Sequence, residues 1–223
     1  MTEFIQFFAL AFSALLPVIN PLGSALVFLG IVGVAPAGVY KTLAWRIAVT
    51  TALFLLAMDV GGAAVLKLFG ISLPVVQLAG GLVLAAMGWG LLNQKEAAAP
   101  QSPSPAPQDP SSLQGNVFYP FTFPVTAGPG TLVVMLTLSA HASKGATWLH
   151  IVIAHAGVLS GMLLMCCGVF LAYAYAPRIT AKISPSTAHG IVRVIAFVLL
   201  CIGVQIAWNG LSSLLLTLPR LRL

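Results

Sequence analysis

The chain has 223 residues, of which 59% are hydrophobic and only 6% are charged, with 10 Lys and Arg against 4 Asp and Glu. A soluble domain carries roughly 25% charged residues. This composition argues against a soluble enzyme, a nucleic-acid-binding protein and a disordered regulator, and it predicts a protein surrounded mostly by lipid. The net charge of +6 comes from single basic residues between apolar segments, which is how membrane proteins mark their loops and does not indicate a nucleic-acid partner.

Six apolar segments follow one another along the chain, and each has the roughly 20 residues needed to cross a bilayer. In chain order, spans 1 to 6 are Phe4–Ile31, Thr42–Leu66, Ser72–Leu92, Val117–Ala140, Thr147–Tyr175 and Gly190–Leu216. Backbone groups in hydrocarbon must pair within their own segment, so the predicted fold class is an all-α polytopic membrane protein with six transmembrane helices. Span 1 has no basic region before it, which indicates a retained helix rather than a signal peptide.

A polar segment, residues 94–115, separates span 3 from span 4 and has five prolines between Pro100 and Pro110. A segment rich in Pro, Ser and Gln cannot bury a core, so we expect a disordered linker. The linker divides the chain into a first three-helix repeat at residues 1–93 and a second at residues 116–223.

Basic residues favour the cytoplasmic side of membrane proteins, and here they predict that both termini are periplasmic and that the linker is cytoplasmic. In this orientation six basic residues flank the inner side and four flank the outer side. The inner set is Lys41, Arg46, Lys95, Arg178, Lys182 and Arg193, and the outer set is Lys67, Lys144, Arg220 and Arg222.

Two motifs at matching positions relate the halves of the chain. Span 1 contains Pro17-Val-Ile-Asn-Pro-Leu-Gly-Ser24, and span 4 contains Pro124-Val-Thr-Ala-Gly-Pro-Gly-Thr131. Repeats of three helices each must enter the membrane in opposite orientations. The pattern therefore predicts two inverted three-helix repeats, which are typical of secondary transporters.

A weaker echo joins spans 3 and 6. Gly81 and Gly88 share a seven-residue spacing with Ala196 and Gly203. Seven residues are about two helical turns, so each pair presents small residues on one face for close helix contact.

Pro21 and Pro129 lack a backbone N–H and clash with the preceding turn, so they predict that helices 1 and 4 are broken at mid-membrane. Each break would be followed by the N-terminus of a half-helix, which can bind the carboxylate of a small solute. The freed carbonyl groups can bind an amine or a cation. An ordinary kink is the alternative. The candidate solute- or ion-binding residues are Asn20, Pro21, Gly23, Ser24, Gly128, Pro129, Gly130 and Thr131.

Other polar residues lie inside the spans. Gln77 in span 3, and Gln205 with Asn209 in span 6, either form interhelical hydrogen bonds or contact the solute. Asp59 is a candidate for proton coupling, unless it lies at the outer interface. His155 is predicted to be a hydrogen-bonded packing residue.

Catalytic and metal-binding patterns are missing from the sequence. No two histidines have helical spacing, and neither a nucleophile with its base nor a phosphate-binding loop is recognisable. We therefore expect no metal, no cofactor and no enzymatic activity. The three cysteines, in apolar segments, fit packing roles better than a disulfide or a zinc site.

Four motifs resemble the MarC family of bacterial inner-membrane proteins, also called the neutral amino acid transporter family. They are Asn20-Pro-Leu-Gly23, Phe69-Gly-Ile-Ser-Leu-Pro74 with Ala79-Gly-Gly81, Ala127-Gly-Pro-Gly-Thr131, and Gly203-Val-Gln205 through Asn209-Gly210. The resemblance covers all six spans but not the linker. It implies a six-helix protein of the bacterial inner (plasma) membrane, in a family where some relatives are regarded as neutral amino acid transporters. The family motifs carry over as Asn20, Pro21 and Gly23, and as Gly128, Pro129, Gly130 and Thr131.

These patterns together predict a secondary transporter, a permease or exporter of small neutral metabolites, with neutral amino acids as the first candidates. It would work by alternating access around broken helices 1 and 4. The expected partners are membrane lipid, a small neutral solute and a coupling cation or proton, and a homo-oligomer is left open. Two other functions also stay open: a structural or assembly protein of the membrane, and a passive channel.

Overall fold

The computed structural model describes residues 2–33, 35–93, 115, 117–143, 147–182 and 185–217. Within them lie eight α-helices, one irregular helical segment and no strand. The helices are α1 (Thr2–Ile19), α2 (Pro21–Val32), α3 (Ala37–Leu68), α4 (Leu73–Leu92), α5 (Pro129–Ala142), α6 (Trp148–Ala174), α7 (Ala176–Lys182) and α8 (Pro185–Thr217). The irregular segment, Val117–Thr126, precedes α5 and is called the aromatic-proline segment.

Five of the described spans are long and apolar enough to cross a membrane, with α1 and α2 counted together as one span of 31 residues. The aromatic-proline segment and α5 form a sixth candidate, bent by 71°. The prediction of an all-helical, multi-span membrane protein is therefore confirmed. Residues 94–114 of the linker, and the basic residues Lys95, Lys144, Arg220 and Arg222, lie outside the described part of the chain.

The first span changes from α1 to α2 at a single residue. Asn20 has φ 45° and ψ 68°, in the left-handed region, and Pro21 begins α2. Asn is among the few residues other than Gly that enter this region readily, and Pro is favoured at the first helical position, where its missing N–H is not needed. The local sequence thus explains both the end of α1 and the start of α2.

The fourth span begins irregularly. Tyr119 and Phe123, inside the aromatic-proline segment, have extended backbone angles with φ near −120°. Each of them directly precedes a proline, and the proline ring disfavours helical angles at the residue before it. The predicted span Val117–Ala140 is therefore regular only from Pro129 onward, in α5.

Helices α4 and α8 form a close antiparallel pair. A Cβ atom added at Gly81 would overlap the backbone of Ala207 and Gly203, and one at Gly88 would lie 2.6 Å from the Leu200 nitrogen. Gly203 in turn faces the backbone of α4. The seven-residue spacing of small residues predicts a face for close helix contact on each of spans 3 and 6, and the structure shows that these two faces meet each other.

A second close contact joins α1 to α6. Added Cβ atoms at Gly157 and Gly161 would lie 2.7 and 2.8 Å from the backbone oxygens of Phe4 and Phe8. Two glycines four residues apart present one bare stripe of helix backbone, which lets a neighbouring helix approach closely.

The core lies between the two halves of the chain rather than within each half. Apart from α4 with α8, the main helix contacts are α1 with α6, α3 with α6, and α3 and α4 with α5. Buried aromatic rings join the two halves: Phe28 stacks on Tyr173 with ring centroids 4.6 Å apart and meets Phe121 edge-on at 5.7 Å. The two sets of three spans are therefore interlocked.

Candidate functional site

The predicted first break, at the junction of α1 and α2, is closed by its own asparagine. The Asn20 side-chain oxygen accepts a hydrogen bond from the Gly23 N–H at 3.1 Å, which caps α2. The Asn20 carbonyl oxygen accepts from both the N–H and the hydroxyl of Ser24, each at 2.9 Å. A Cβ at Gly23 would overlap the Asn20 side chain, so this glycine makes the cap possible. In this conformation the Asn20 side chain serves the helix end.

The second break has no such cap. Gly128 precedes α5 without a side-chain hydrogen bond to the helix, and its carbonyl accepts from the N–H groups of Thr131 and Leu132 at 3.0 and 3.3 Å. Among the described residues, the buried hydroxyls of Thr131 and Thr122 have no hydrogen-bond partner. Buried polar groups are normally paired, so an unpaired hydroxyl beside a helix N-terminus calls for an explanation. Pro129 is exposed at the start of this helix.

Gly130 packs against apolar side chains. A Cβ atom there would overlap the Leu84 side chain of α4 and would lie 3.4 Å from Val18 of α1. The site of Gly130 is thus a contact between three spans in this conformation.

Buried hydroxyl groups lie where α6 meets the segment before α5. The Thr126 hydroxyl donates to the Phe121 carbonyl oxygen at 2.7 Å and lies 2.8 Å from the Tyr173 hydroxyl. Ser24 of α2 lies near Tyr173, and its hydroxyl donates to the Asn20 carbonyl oxygen. All three hydroxyl residues are buried. The sequence pattern singled out Ser24 but not Thr126 or Tyr173, although Thr126 lies inside the repeated motif of span 4.

A polar network crosses α3, α5 and α6 in another part of the molecule. The His155 Nδ1 lies 3.0 Å from the Asp59 Oδ2, and the His155 Nε2 lies 3.1 Å from the Ser143 hydroxyl. The Ser139 hydroxyl donates to the Asp59 backbone carbonyl at 2.8 Å. The Asp59 side chain is only 3% exposed and that of His155 is 23% exposed. Asp59 is therefore buried within the protein, and His155 is hydrogen-bonded as predicted, with a carboxylate as its partner.

Both ring nitrogens of His155 can be hydrogen-bonded in two protonation states. When His155 is neutral, its Nδ1–H donates to Asp59 and its Nε2 accepts from the Ser143 hydroxyl. When both ring nitrogens are protonated, Nε2–H donates to Ser143, whose hydroxyl then donates to the Ser139 carbonyl oxygen 2.9 Å away. The Asp59 Oδ1 is buried and has no hydrogen-bond partner among the described residues. The site thus offers two positions for a proton, on His155 and on Asp59.

A cavity of about 530 Å³ adjoins this network. Ser139 and Ser143 of α5 line one side, and Lys67, Gly70 and Ser72, at the junction of α3 and α4, line the other. The volume lies in the range of pockets that hold small molecules. Lys67 is the charged residue of this lining, and the predicted orientation assigns it to the outer side of the membrane.

Gln77, Gln205 and Asn209 are not brought together with either site. Gln77 is buried in α4, and its Cβ lies close to Gly210 of α8. Gln205 and Asn209 lie on an exposed face of α8, where the Gln205 amide nitrogen donates to the Asn209 side-chain oxygen at 2.9 Å. The structure therefore separates these three polar residues from the breaks and from Asp59.

Hydroxyl, imidazole and carboxylate groups in a row also occur in serine hydrolases. Here Ser143 ends α5, where the helix dipole disfavours a developing negative charge. Its N–H already donates to the Ser139 carbonyl oxygen at 3.0 Å, so it is not available to stabilise an oxyanion. The arrangement suits the holding and transfer of a proton better than nucleophilic attack.

The long apolar helices define a multi-span integral membrane protein. Residues 5–215 match the MarC family of integral membrane proteins. The chain belongs to that family. Similar proteins include the UPF0056 inner membrane protein MarC of Salmonella typhimurium, 26% identical over 223 residues that cover 97% of this chain and 99% of the relative. The protein of the same name from Escherichia coli O1:K1 is 26% identical over 220 residues, with the same coverage.

The relatives are named inner membrane proteins, and together with the apolar helices they make this chain a multi-pass protein of the inner membrane. Neither the family description nor these names denotes an enzyme. No solved structure matches the chain.

Proposed function

We propose that this MarC-family protein is a secondary transporter that couples a proton gradient to the movement of small neutral solutes, with neutral amino acids as the first candidates. The observation that carries this proposal is the Asp59–His155–Ser143 network beside the cavity. Ionisable groups inside a membrane span are costly to keep, and they commonly mark proton paths.

In the proposed coupling step, a proton enters from the cavity and reaches the His155 Nε2 by way of the Ser143 hydroxyl. Ser143 changes its hydrogen-bond acceptor as the ring becomes doubly protonated, and Nδ1 passes a proton to Asp59. After this transfer Asp59 is neutral, so the charged carboxylate that accepts the Nδ1–H hydrogen bond between α3 and α6 in the starting state is lost. Protonation would therefore change the relative stability of two helix arrangements, which is what coupled transport requires.

The solute, in this proposal, binds at the second break. The uncapped N-terminus of α5 and the unpaired hydroxyls of Thr131 and Thr122 would receive its carboxylate. Since these groups are buried, the conformation described above would be occluded at this site. Asn20, Pro21, Gly23 and Ser24 would frame the site from the first break.

The helix contacts support the proposal that the spans form two inverted repeats. Spans 2 and 5 are α3 and α6, spans 3 and 6 are α4 and α8, and each of these pairs is in contact. The contact of α1 with α6 has its counterpart in that of α3 with α5, and the contact of α4 with α5 has its counterpart in that of α1 with α8. A two-fold axis in the membrane plane would exchange the members of each pair.

Because the two halves are interlocked, we expect that the parts that move during transport are not the two sequence repeats themselves. Helices α4 and α8 pack mainly on each other, while α1, α3, α5 and α6 share the rest of the core. We propose that the α4–α8 pair moves against this core, and that the Leu84–Gly130 contact opens as it does so.

The test is solute flux in proteoliposomes that contain the purified protein, with labelled alanine, serine and glycine. For one proton per solute, a pH difference of one unit supports an accumulation of up to about tenfold. We expect the wild-type protein to approach this ratio for at least one solute. The variant Asp59→Asn should lose accumulation and retain exchange of labelled for unlabelled solute, because the solute site is separate from Asp59.

A matched control is the exposed pair of Glu3 and His150, whose Oε1 and Nδ1 atoms lie 3.9 Å apart. Glu3→Gln should leave accumulation unchanged. Absence of saturable flux for every solute would overturn the transport proposal in favour of a structural or assembly role. Flux without saturation or exchange would instead establish a passive channel, and full accumulation by Asp59→Asn would remove Asp59 from the coupling step.

A further inference from the structure

The outward face of α8 has a polar pair in the middle of an apolar span. Gln205 and Asn209 are exposed, and they lie within the apolar segment Gly190–Leu216. Their neighbours on this face, Val204 and Trp208, are more than half exposed. The opposite face of α8 is occupied by α4. Polar side chains within a span almost always face other protein or water, so exposure of this pair to lipid tails is unexpected for a lone copy of the chain.

The two amides do not satisfy each other. An amide side chain has two N–H donors and a carbonyl acceptor, and one hydrogen bond joins the Gln205 nitrogen to the Asn209 oxygen. Among the described residues, the Gln205 oxygen, one Gln205 N–H and both Asn209 N–H groups remain without partners. Hydrocarbon offers no hydrogen bonds, so these groups favour any arrangement that supplies both donors and acceptors.

We propose that two copies of this chain associate through the outward face of α8. Under a two-fold axis along the membrane normal, Gln205 of each copy donates to the oxygen of Gln205 of the partner subunit. The set of free groups on this face is self-complementary, which a symmetric interface requires. Lipid cannot complete it. The proposal does not depend on transport, so the two can fail separately.

Native cysteines provide the probe. Cys201 is exposed one helical turn before Gln205, whereas Cys167 is exposed on α6 and Cys166 is buried. The full chain in native membranes is oxidised with copper phenanthroline and run on non-reducing gels. Cys167→Ser, which keeps Cys201, should run on the gel as a covalent dimer. Cys201→Ser should run as a monomer, because it lacks the thiol that forms the cross-link. A disulfide needs Cα atoms within about 7 Å, so the bond reports a close approach of the two α8 helices.

The second measurement is the dimer fraction in lipid vesicles, from single-molecule photobleaching of labelled protein. Gln205→Leu should weaken dimerisation about tenfold, since interhelical hydrogen bonds in membranes contribute modestly, whereas Gln205→Asn should preserve most of it because the amide is retained. A wild-type protein that bleaches in single steps overturns the proposal. So does a dimer that Cys201 does not cross-link, or one that Gln205→Leu leaves intact.

Discussion

Asn20 has three local roles at the junction of α1 and α2. Its backbone takes the left-handed turn, its side-chain oxygen caps the next helix, and its carbonyl accepts from Ser24. The succession Asn, Pro, Leu, Gly predicts a break, because Asn suits the N-cap and Pro the first helical position. A residue in such a break is predicted to point its side chain into the cavity and bind the solute, whereas in the structure the Asn20 oxygen caps α2. The sequence does not separate these roles, since a solute contact and a cap need the same residue type.

Substitutions of Asn20 separate these two roles. Asn20→Ala should lower the free energy of unfolding by about 2–3 kcal/mol, through the lost cap and the strain of a left-handed alanine. Asn20→Gly should cost only about a few tenths, because glycine accepts the backbone and is a fair N-cap. The measurement is the thermal unfolding midpoint in detergent together with solute exchange in liposomes. We expect Asn20→Gly to keep exchange; its loss in a stable protein would assign Asn20 to the solute.

Asp59 stands out in the sequence, but its hydrogen-bond partner does not. A lone carboxylate in an apolar span predicts a special role for Asp59. Its partner His155 is 96 residues further along the chain, so only the packing of α6 on α3 brings them together. The sequence therefore predicts a hydrogen-bonded His155 but not that its partner is a carboxylate.

At the scale of elements, helix periodicity was informative where a contact depends on a regular face. Small residues seven apart predict a close-packing face on α4 and on α8, since both helices are regular over the whole interface. The spacing does not predict that these two faces meet each other. The same reasoning does not extend to the aromatic-proline segment. Its start at Val117 follows the hydropathy, but Tyr119 and Phe123 are extended, because the prolines that follow them override the apolar pattern.

Glycines of α4 offer a matched pair for testing the contact. A Cβ at Gly81 would overlap the backbone of α8, whereas one at Gly90 would meet nothing within 4 Å. Gly81→Ala should destabilise the protein by about 1–3 kcal/mol, since the two helices must move apart. Gly90→Ala should be neutral or stabilising by up to about 1 kcal/mol, because alanine favours helix. Thermal unfolding of both variants decides; equal midpoints would contradict the close approach.

At the scale of the whole molecule, the main contacts of the core run between the two halves of the chain. Composition and hydropathy predict the number and class of the spans, because both depend only on transfer from water to lipid. They do not predict which spans pack together, since lipid tails are as apolar as the side chains and association depends on shape. The division of the chain at the linker therefore did not predict a core shared by both halves. Residues 94–114 of this linker lie outside the described ranges.

The orientation of the molecule decides which compartment the cavity faces. Basic residues predict that Lys67 is periplasmic, which would open the cavity lined by Lys67 and Ser72 to the outside. Ser72 and Asn93 flank the two ends of α4 and are the N-cap and C-cap of one span, so they must lie on opposite sides of the membrane. A cysteine at each position, introduced singly in a chain that lacks the native cysteines, reports the side directly.

In intact cells, a maleimide that cannot cross the inner membrane should label Ser72→Cys and leave Asn93→Cys unlabelled. Permeabilised cells should label both, which controls for the reactivity of each thiol. The reverse pattern would place both termini in the cytoplasm and the cavity on the inner side. Protons would then enter the Asp59–His155 network from the cytoplasm, and a gradient imposed on proteoliposomes would drive solute through that network in the opposite direction.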